Sequence, residues 1–197
     1  MKRPVLLLST LLMLVTIPVA SAQSSPALST GAGLLFAGVK SRLFTAEKNR
    51  LFKALALVVS KDKKHLVADF DKRSEYPYNI RVYPTDLNRD GAEDVFILYG
   101  NRLSGGAGAD IVLFTKDKAG AYQKNLGFPA ALPDVLATTN LGYPDLLIGG
   151  PGVEFPVWRW NGKEYALHRK VKDQEYGSLP GTAIETLSKA YVKTVNN

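Results

Sequence analysis

Short apolar segments separated by turn-forming residues run from position 79 to 169, and this pattern restricts the fold more than any other feature. Such segments, rich in β-branched and aromatic residues, indicate β-strands joined by tight connections. The segment 94–99 is apolar almost throughout, which favours a strand covered on both faces. Asn161-Gly162 is a strong hairpin signal. The predicted strands are 80–83, 94–99, 111–114, 121–126, 135–138, 146–148, 157–160 and 164–168.

Helical periodicity lies outside this β region. Apolar residues repeat at helical intervals over 51–55, and Thr45 is a candidate capping residue for that helix. Near the other end of the chain, Thr182 and Glu185 have capping-box spacing before a second periodic segment. Residues 57–68 predict either a hairpin or a helix followed by a short strand. The sequence therefore predicts an α+β fold of antiparallel hairpins, with an N-terminal helix and a C-terminal capping helix.

A degenerate two-copy repeat divides the β region at about 80–126 and 134–169. The matching segments are 94–97 with 145–148 and 120–122 with 162–165. Two copies are too few to close a β-propeller, which needs about four to eight blades. We expect one antiparallel sheet or two propeller-blade-like sheets, packed with the helices in a single domain from 35 to 197.

The N-terminus has the three parts of a secretory signal peptide over residues 1–22. Lys2 and Arg3 are basic, an apolar run follows, and Ala20-Ser21-Ala22 places small residues at the cleavage positions. The apolar run is shorter than the roughly 20 residues of a membrane-spanning helix. We expect cleavage after Ala22, a periplasmic or secreted protein without a membrane span, and a flexible Ser/Ala/Gly-rich leader over 23–34.

Composition narrows the possible functions. The chain has no cysteine, so its stability comes from a hydrophobic core, with or without a metal, and not from disulfides. The formal net charge is +7, and two of these charges belong to the signal peptide. The remaining basic residues are dispersed along the chain. A nucleic-acid-binding surface, which clusters basic residues with aromatic ones, is therefore not expected.

One loop has a specific chemistry: Asp86-Leu87-Asn88-Arg89-Asp90-Gly91-Ala92-Glu93-Asp94. Oxygen-bearing side chains stand at loop positions 1, 3, 5 and 9, and the carbonyl at position 7 is a further candidate ligand; these metal candidates are Asp86, Asn88, Asp90, Asp94 and Ala92. Calcium takes about six to eight oxygens in flexible geometry, and clustered carboxylates repel one another without a cation. The alternative is a turn whose Asp and Asn side chains accept backbone amides.

The loop is not an EF-hand, because position 12 is Ile97 where an EF-hand has a bidentate Glu. It resembles instead the calcium loops of FG-GAP and VCBS-type repeats, which read Asp-x-Asp/Asn-x-Asp-Gly-x-x-Asp before an apolar strand. The resemblance covers 86–99 well and 138–152 weakly. The second loop, 139–145, has lost most of its acids, and we expect no metal there. A wider pattern, formed by residues 83–86, 144–147 and 158–165, is similar to that of small secreted bacterial proteins without an assigned function.

Catalytic motifs are not evident. His65 and His168 are the only histidines, and a triad with Ser104 has no supporting sequence context. The Gly-rich segment 102–108 lacks the Lys-Ser/Thr ending of a phosphate loop. Alternation along a strand places Trp158 and Trp160 on one face, where they form part of the core or a carbohydrate platform.

The sequence and the resemblance together favour an exported, calcium-stabilised, FG-GAP-like binding or interaction module without catalytic activity. Its partner would be an unknown protein or an envelope polymer, contacted through loops 101–109 and 149–155. One alternative is a cell-envelope glycan hydrolase or an inhibitor of one. The other is a structural envelope component.

Overall fold

The helices and strands follow the predicted order along the chain, with three short additions. The computed structural model describes residues 26–71, 73, 75–104, 108–149 and 154–195. The predicted signal peptide lies outside these residues. The elements are α1 (Thr30–Leu35), α2 (Thr45–Ala54), β1 (Leu57–Val59), β2 (Leu66–Ala68), β3 (Asn79–Thr85), β4 (Asp94–Gly100), β5 (Asp110–Lys116), β6 (Tyr122–Pro129), β7 (Pro133–Asn140), β8 (Tyr143–Ile148), β9 (Glu154–Trp160), β10 (Tyr165–Lys172), α3 (Asp173–Tyr176), β11 (Gly181–Ala183) and α4 (Ile184–Thr194).

Two antiparallel sheets form the centre of the fold, and each contains four strands in sequence order. The first sheet has the order β3-β4-β5-β6, and the second has the order β10-β9-β8-β7-β11. A separate hairpin pairs β1 with β2, which decides between the two predictions for residues 57–68 in favour of the hairpin. Strands β7 and β8 are joined at Leu141 and Gly142, both with positive φ (49° and 88°). Positive φ at both central residues belongs to the hairpin turns that match strand twist.

The two sheets pack face to face. Helices α1 and α2 and the β1–β2 hairpin cover the outer face of the first sheet, and α3 lies on the outer face of the second. Alternate residues of β4 point to opposite sides, and both sides are covered. Val95 and Ile97 pack with α1, α2 and the β1–β2 hairpin in the first core. Phe96 and Leu98 pack with residues of the second sheet and α4 in the second core. A smaller third core lies on the outer face of the second sheet, beside α3. The prediction of a β4 covered on both faces is confirmed.

The helix boundaries differ from the sequence prediction in physically simple ways. Residues 30–34, predicted as the end of a flexible leader, belong to α1, because the Ser29 side chain accepts the Ala32 amide and Ala32 is fully buried. The leader interpretation of 23–34 is therefore wrong for its last residues. Thr45 is the first residue of α2, not its cap. Thr182 lies in β11 and pairs with β7, so α4 begins later, at Ile184.

The predicted fold class, α+β with antiparallel hairpins and terminal helices, is confirmed. The two sheets are open and do not close into a propeller. Helix α4 packs on the second core through Ile184 and Leu187. Tyr83 on β3 donates a hydrogen bond to Glu185 Oε1 at 3.0 Å. The helix thereby connects the edge of the first sheet to the interface between the sheets.

Candidate functional site

The loop between β3 and β4 curls so that its acidic side chains accept its own backbone amides. Asp86 accepts the amides of Asp90 (3.1 Å) and Gly91 (3.0 Å), and Asp90 accepts the amide of Ala92 at 2.7 Å. Asn88 donates to Asp90 Oδ2 at 2.7 Å. Gly91 has φ of 86°, a conformation that suits glycine. The sharp turn predicted at Gly91 is thus present. The same side chains that are candidate metal ligands accept the backbone amides of the turn.

Asp94 is the buried member of the loop. Its side chain accepts the Leu87 amide at 2.9 Å, and only 2% of the residue is exposed. Burial raises the pKa of Asp94 to about 8, and the negative charges of Asp90, Asp86 and Glu93 add to this rise. A carboxylate placed among like charges in a buried position is costly unless a positive charge is supplied.

The neighbouring Glu93 ties the loop to the N-terminal helices. Its carboxylate accepts the Ser41 hydroxyl and, at 2.8 Å, the Arg42 amide, and the residue is 3% exposed. Its backbone carbonyl accepts the Tyr122 hydroxyl at 2.6 Å. These contacts fix the start of β4 from two sides, so the end of the loop is held rigidly.

The second sheet carries the counterpart of Asp94. Asp145 in β8 matches it in the repeat and is also 2% exposed. Here a positive charge is present: Arg159 donates two hydrogen bonds to Asp145, at 2.9 and 2.7 Å. Thr138 adds a third at 2.6 Å. Burial alone would raise the pKa of Asp145, but the bonds from Arg159 and Thr138 and the guanidinium charge outweigh it and hold that pKa below its usual range.

The tyrosine hydroxyls strengthen the correspondence between the sheets. Tyr122 in β6 donates to the carbonyl of Glu93, just before Asp94. Tyr165 in β10 donates to the carbonyl of Pro144, just before Asp145, at 2.9 Å. Each four-strand meander therefore has a tyrosine–carbonyl hydrogen bond next to its buried aspartate, at corresponding positions of the repeat. They differ in charge, because the guanidinium of Arg159 pairs with Asp145, whereas the charges that act on Asp94 are the negative ones of Asp90, Asp86 and Glu93.

The loop residues suit a hard cation in type. Asp86, Asn88, Asp90 and Asp94 offer oxygens, and a carboxylate has about four acceptor positions, so an amide hydrogen bond leaves others for a metal. Within the described ranges, no group of three or more His, Cys, Asp or Glu side chains has the geometry of a formed metal site. The carboxylates are instead directed at backbone amides. The residues that would hold calcium are adjacent, and the shape of a bound site is not defined.

The two tryptophans lie on one face of β9, as predicted. Both pack beside the second core, between the sheets. Trp158 stacks on Phe128 with ring centroids 5.0 Å apart, and Trp160 stacks on Tyr143 at 4.4 Å. Each ring is half-buried, so each contributes to packing and retains some open surface.

The candidates for catalysis lie apart from one another. His65 is an exposed residue beside the β1–β2 turn, and His168 is exposed on β10. Ser104 accepts the Asn101 amide at 2.9 Å, beyond the end of β4 in the other sheet. The structure does not bring a serine–histidine pair together among these residues.

The predicted contact loops lie at the end of the sheets opposite the acidic loop. Ala130 donates to the Ala109 carbonyl (2.9 Å) and Ala131 donates to the Gly149 carbonyl (3.0 Å), so the described parts of the two loops are neighbours. Residues 105–107 and 150–153 lie outside the described part. Sequence reasoning missed the Arg159 partner of Asp145, because a strand arginine facing a buried acid leaves no local motif.

Comparison with known proteins does not assign the chain to a class. No protein-family model matches it, and neither do curated proteins or solved structures. In the part of the chain that the structure describes, every helix is too short or too polar to cross a membrane.

Proposed function

We propose that this protein is an exported binding module whose first sheet is stabilised by calcium and which has no catalytic activity. The single observation that carries the calcium proposal is the environment of Asp94. Its carboxylate is buried beside Asp86, Asp90 and Glu93. The matching Asp145 has the guanidinium of Arg159 beside it, at 2.7 Å. A bound calcium would supply to the first sheet the positive charge that Arg159 supplies to the second.

The arrangement of the strands supports the same proposal. The sheets are two consecutive four-strand meanders stacked face to face, and the candidate calcium loop enters the second strand of the first one. This arrangement agrees with the resemblance of residues 86–99 to FG-GAP and VCBS-type loops. In such a module the metal fixes the loop and the register of the strand that follows. The carboxylates of the loop then serve as calcium ligands and not as a general acid or base.

Export from the cytoplasm is consistent with a stabilising calcium site. The compartment predicted from residues 1–22 permits disulfides, yet the chain has no cysteine. Extracellular calcium modules work at dissociation constants of about 10⁻⁴–10⁻³ M, so a weak site suffices where calcium is abundant. The export proposal is tested by expressing the full chain in a bacterium and measuring the intact mass of the periplasmic product, which should begin at Gln23. A product retaining Met1 would refute it.

Thermal unfolding tests the calcium proposal. For a dissociation constant of about 1 mM, 10 mM calcium stabilises the folded state by about 1.4 kcal/mol. In a domain of this size that corresponds to a melting temperature raised by roughly 3–6 °C over the value in EDTA. Magnesium should produce a smaller shift, because it requires stricter geometry and releases water reluctantly.

Two aspartate variants make this test specific. Asp86→Asn keeps an acceptor for the backbone amides and removes a ligand charge, so it should abolish most of the calcium shift. Asp117→Asn is the matched control, because Asp117 also accepts amides in an exposed turn, from Ala119 and Ala121 at 2.9 Å each. It should retain the full shift. A wild-type melting temperature unchanged between EDTA and 10 mM calcium would show the calcium proposal to be wrong.

A further inference from the structure

An open cleft of about 970 Å³ lies where four connections of the two sheets meet. The β5–β6, β7–β8 and β9–β10 turns and the acidic loop each contribute lining residues. Its size falls within the roughly 300–1,000 Å³ range of small-molecule sites in proteins. It lies at the opposite end of the sheets from the contact loops predicted by the sequence.

One wall of the cleft is aromatic and held in place. Trp160 lines the cleft and stacks on Tyr143, with centroids 4.4 Å apart and planes 29° apart. Tyr165 meets its edge at 5.5 Å, and Tyr165 is itself anchored by its bond to Pro144. The indole is therefore fixed by packing on one side. A preoriented aromatic ring binds a flat apolar surface with little loss of conformational freedom.

The strands of the first sheet add amides and a hydroxyl to the lining. Asn125 donates to the hydroxyl of Thr115, and Gln123 donates to Asp117 Oδ2 at 2.8 Å. The carbonyl oxygen of Asn125 is buried and accepts no hydrogen bond from the described residues. Asn88, from the acidic loop, supplies a third amide to the lining. Amides both donate and accept, which matches the hydroxyl groups of a ligand.

Charges in the cleft are mixed in sign. Lys118, Lys124 and Lys163 line it together with Asp90, Asp117 and Glu164. Lys116 also lines it, but its ammonium pairs with Glu47 at 2.8 Å. A polyanion would meet carboxylates as well as lysines, and like-charge contacts oppose binding. The lining thus favours an uncharged ligand rich in hydroxyl groups.

We propose that this cleft binds an uncharged oligosaccharide, with one sugar ring stacked on Trp160 and its hydroxyls bonded by Gln123. A sugar ring has apolar C–H faces and hydroxyl edges, which correspond to the aromatic wall and the amides of the lining. The inference rests on the proposed role as a binding module and gives that module a ligand class. It does not require calcium to be bound.

The two tryptophans of the chain provide a direct readout. Trp158→Phe leaves Trp160 as the only tryptophan, and Trp160→Phe leaves Trp158; excitation at a wavelength where tyrosine does not absorb reports on the remaining indole alone. Both changes keep an aromatic ring against its stacking partner. The probes are tetrasaccharides of glucose, N-acetylglucosamine and galactose, with inorganic polyphosphate as the charged comparison. At least one tetrasaccharide should change the emission of Trp158→Phe in a saturable way and leave the emission of Trp160→Phe unchanged.

A surface variant guards against a folding defect in the tryptophan variants. Gln123 is exposed on β6, and Gln123→Ala should weaken tetrasaccharide binding about tenfold through the loss of its hydrogen bonds. Gln174→Ala, an exposed glutamine on α3 away from the cleft, is the matched control and should bind as wild type. Calorimetry on full-length wild type, Gln123→Ala and Gln174→Ala measures these affinities.

The possible results separate the two proposals. Absence of binding to every tetrasaccharide overturns the cleft assignment, and so does salt-sensitive binding of polyphosphate alone. Binding that is insensitive to Gln123→Ala also overturns it. If a tetrasaccharide binds but calcium leaves the melting temperature unchanged, only the calcium proposal fails. If chromatography shows the bound tetrasaccharide shortened, the cleft assignment stands and the non-catalytic function is wrong.

Discussion

Replacing Asp145 by asparagine tests how the second sheet balances a buried charge. The carboxylate accepts three hydrogen bonds, two from Arg159 and one from Thr138. Hydrogen bonds to charged groups contribute about 1.5–3 kcal/mol, and those between neutral groups about half as much. Asparagine keeps the shape, retains one acceptor oxygen and places an amide NH2 group near the guanidinium. Because the Arg159 side chain is 33% exposed and can be hydrated, we expect a loss of about 2 kcal/mol.

The pH dependence of this loss has a definite sign. The pKa of Asp145 in the folded protein lies below its usual range, so the folded state holds its proton less tightly than the unfolded chain. The stabilisation is then fully present above the unfolded value of about 3.9 and is lost as the pH falls through the folded pKa. The difference between wild type and Asp145→Asn should therefore be constant from about pH 5 to 8 and shrink below pH 4.

Urea unfolding followed by far-ultraviolet circular dichroism measures this difference at pH 7, 5 and 3. A loss of about 2 kcal/mol also predicts a melting temperature lower by roughly 4–8 °C. Asp173→Asn, at an exposed position on α3, is the control and should stay within about 0.5 kcal/mol of wild type. The charge-pair reasoning is refuted if Asp145→Asn also stays within that range, or if its deficit is as large at pH 3 as at pH 7.

Three further substitutions test the turn at Gly91 and the tyrosine hydrogen bonds in the two halves of the repeat. Gly91→Ala should destabilise the fold by about 1 kcal/mol because Gly91 has φ of 86°, although a Cβ there meets no atom within 4 Å. Gly177→Ala, with equal space but φ of −69°, is the control in urea unfolding. Equal stabilities of the two variants would contradict the claim of backbone strain at Gly91. Tyr122→Phe and Tyr165→Phe should each lose about 1 kcal/mol, because a buried carbonyl loses its donor. A loss confined to one of them would show that the two bonds are not equivalent.

The strand pattern was predictable because its signals are local. Apolar runs such as 94–97 and the Asn161-Gly162 turn depend only on neighbouring residues, and they located the strands correctly to within a few residues. The acidic loop was also recognisable, since the spacing of its acids and Gly91 determines how it curls. By contrast, Thr182 was assigned to a helix cap because its spacing fits one, and tertiary pairing with β7 places it in a strand instead.

The parts of the site that the sequence did not reveal depend on contacts between distant segments. Arg159 meets Asp145 only because β8 and β9 are neighbours, and Glu93 meets Ser41 across 52 positions of the chain. The cleft brings Gln123 from one sheet near Trp160 from the other. Such juxtapositions require the register and stacking of both sheets, which no short motif encodes.

The paired tyrosine hydrogen bonds have a mechanical consequence. In each meander the tyrosine stands on the last strand, and its acceptor lies at the start of the second strand or just before it. The hydrogen bond therefore closes a loop across the strand between them. A pulling force that separates the last strand from its sheet must also break this hydrogen bond, which acts as a clasp on the meander. Each sheet is therefore fastened as a separate unit, and partial opening of one, the kind of local event seen in amide hydrogen exchange, leaves the clasp of the other intact.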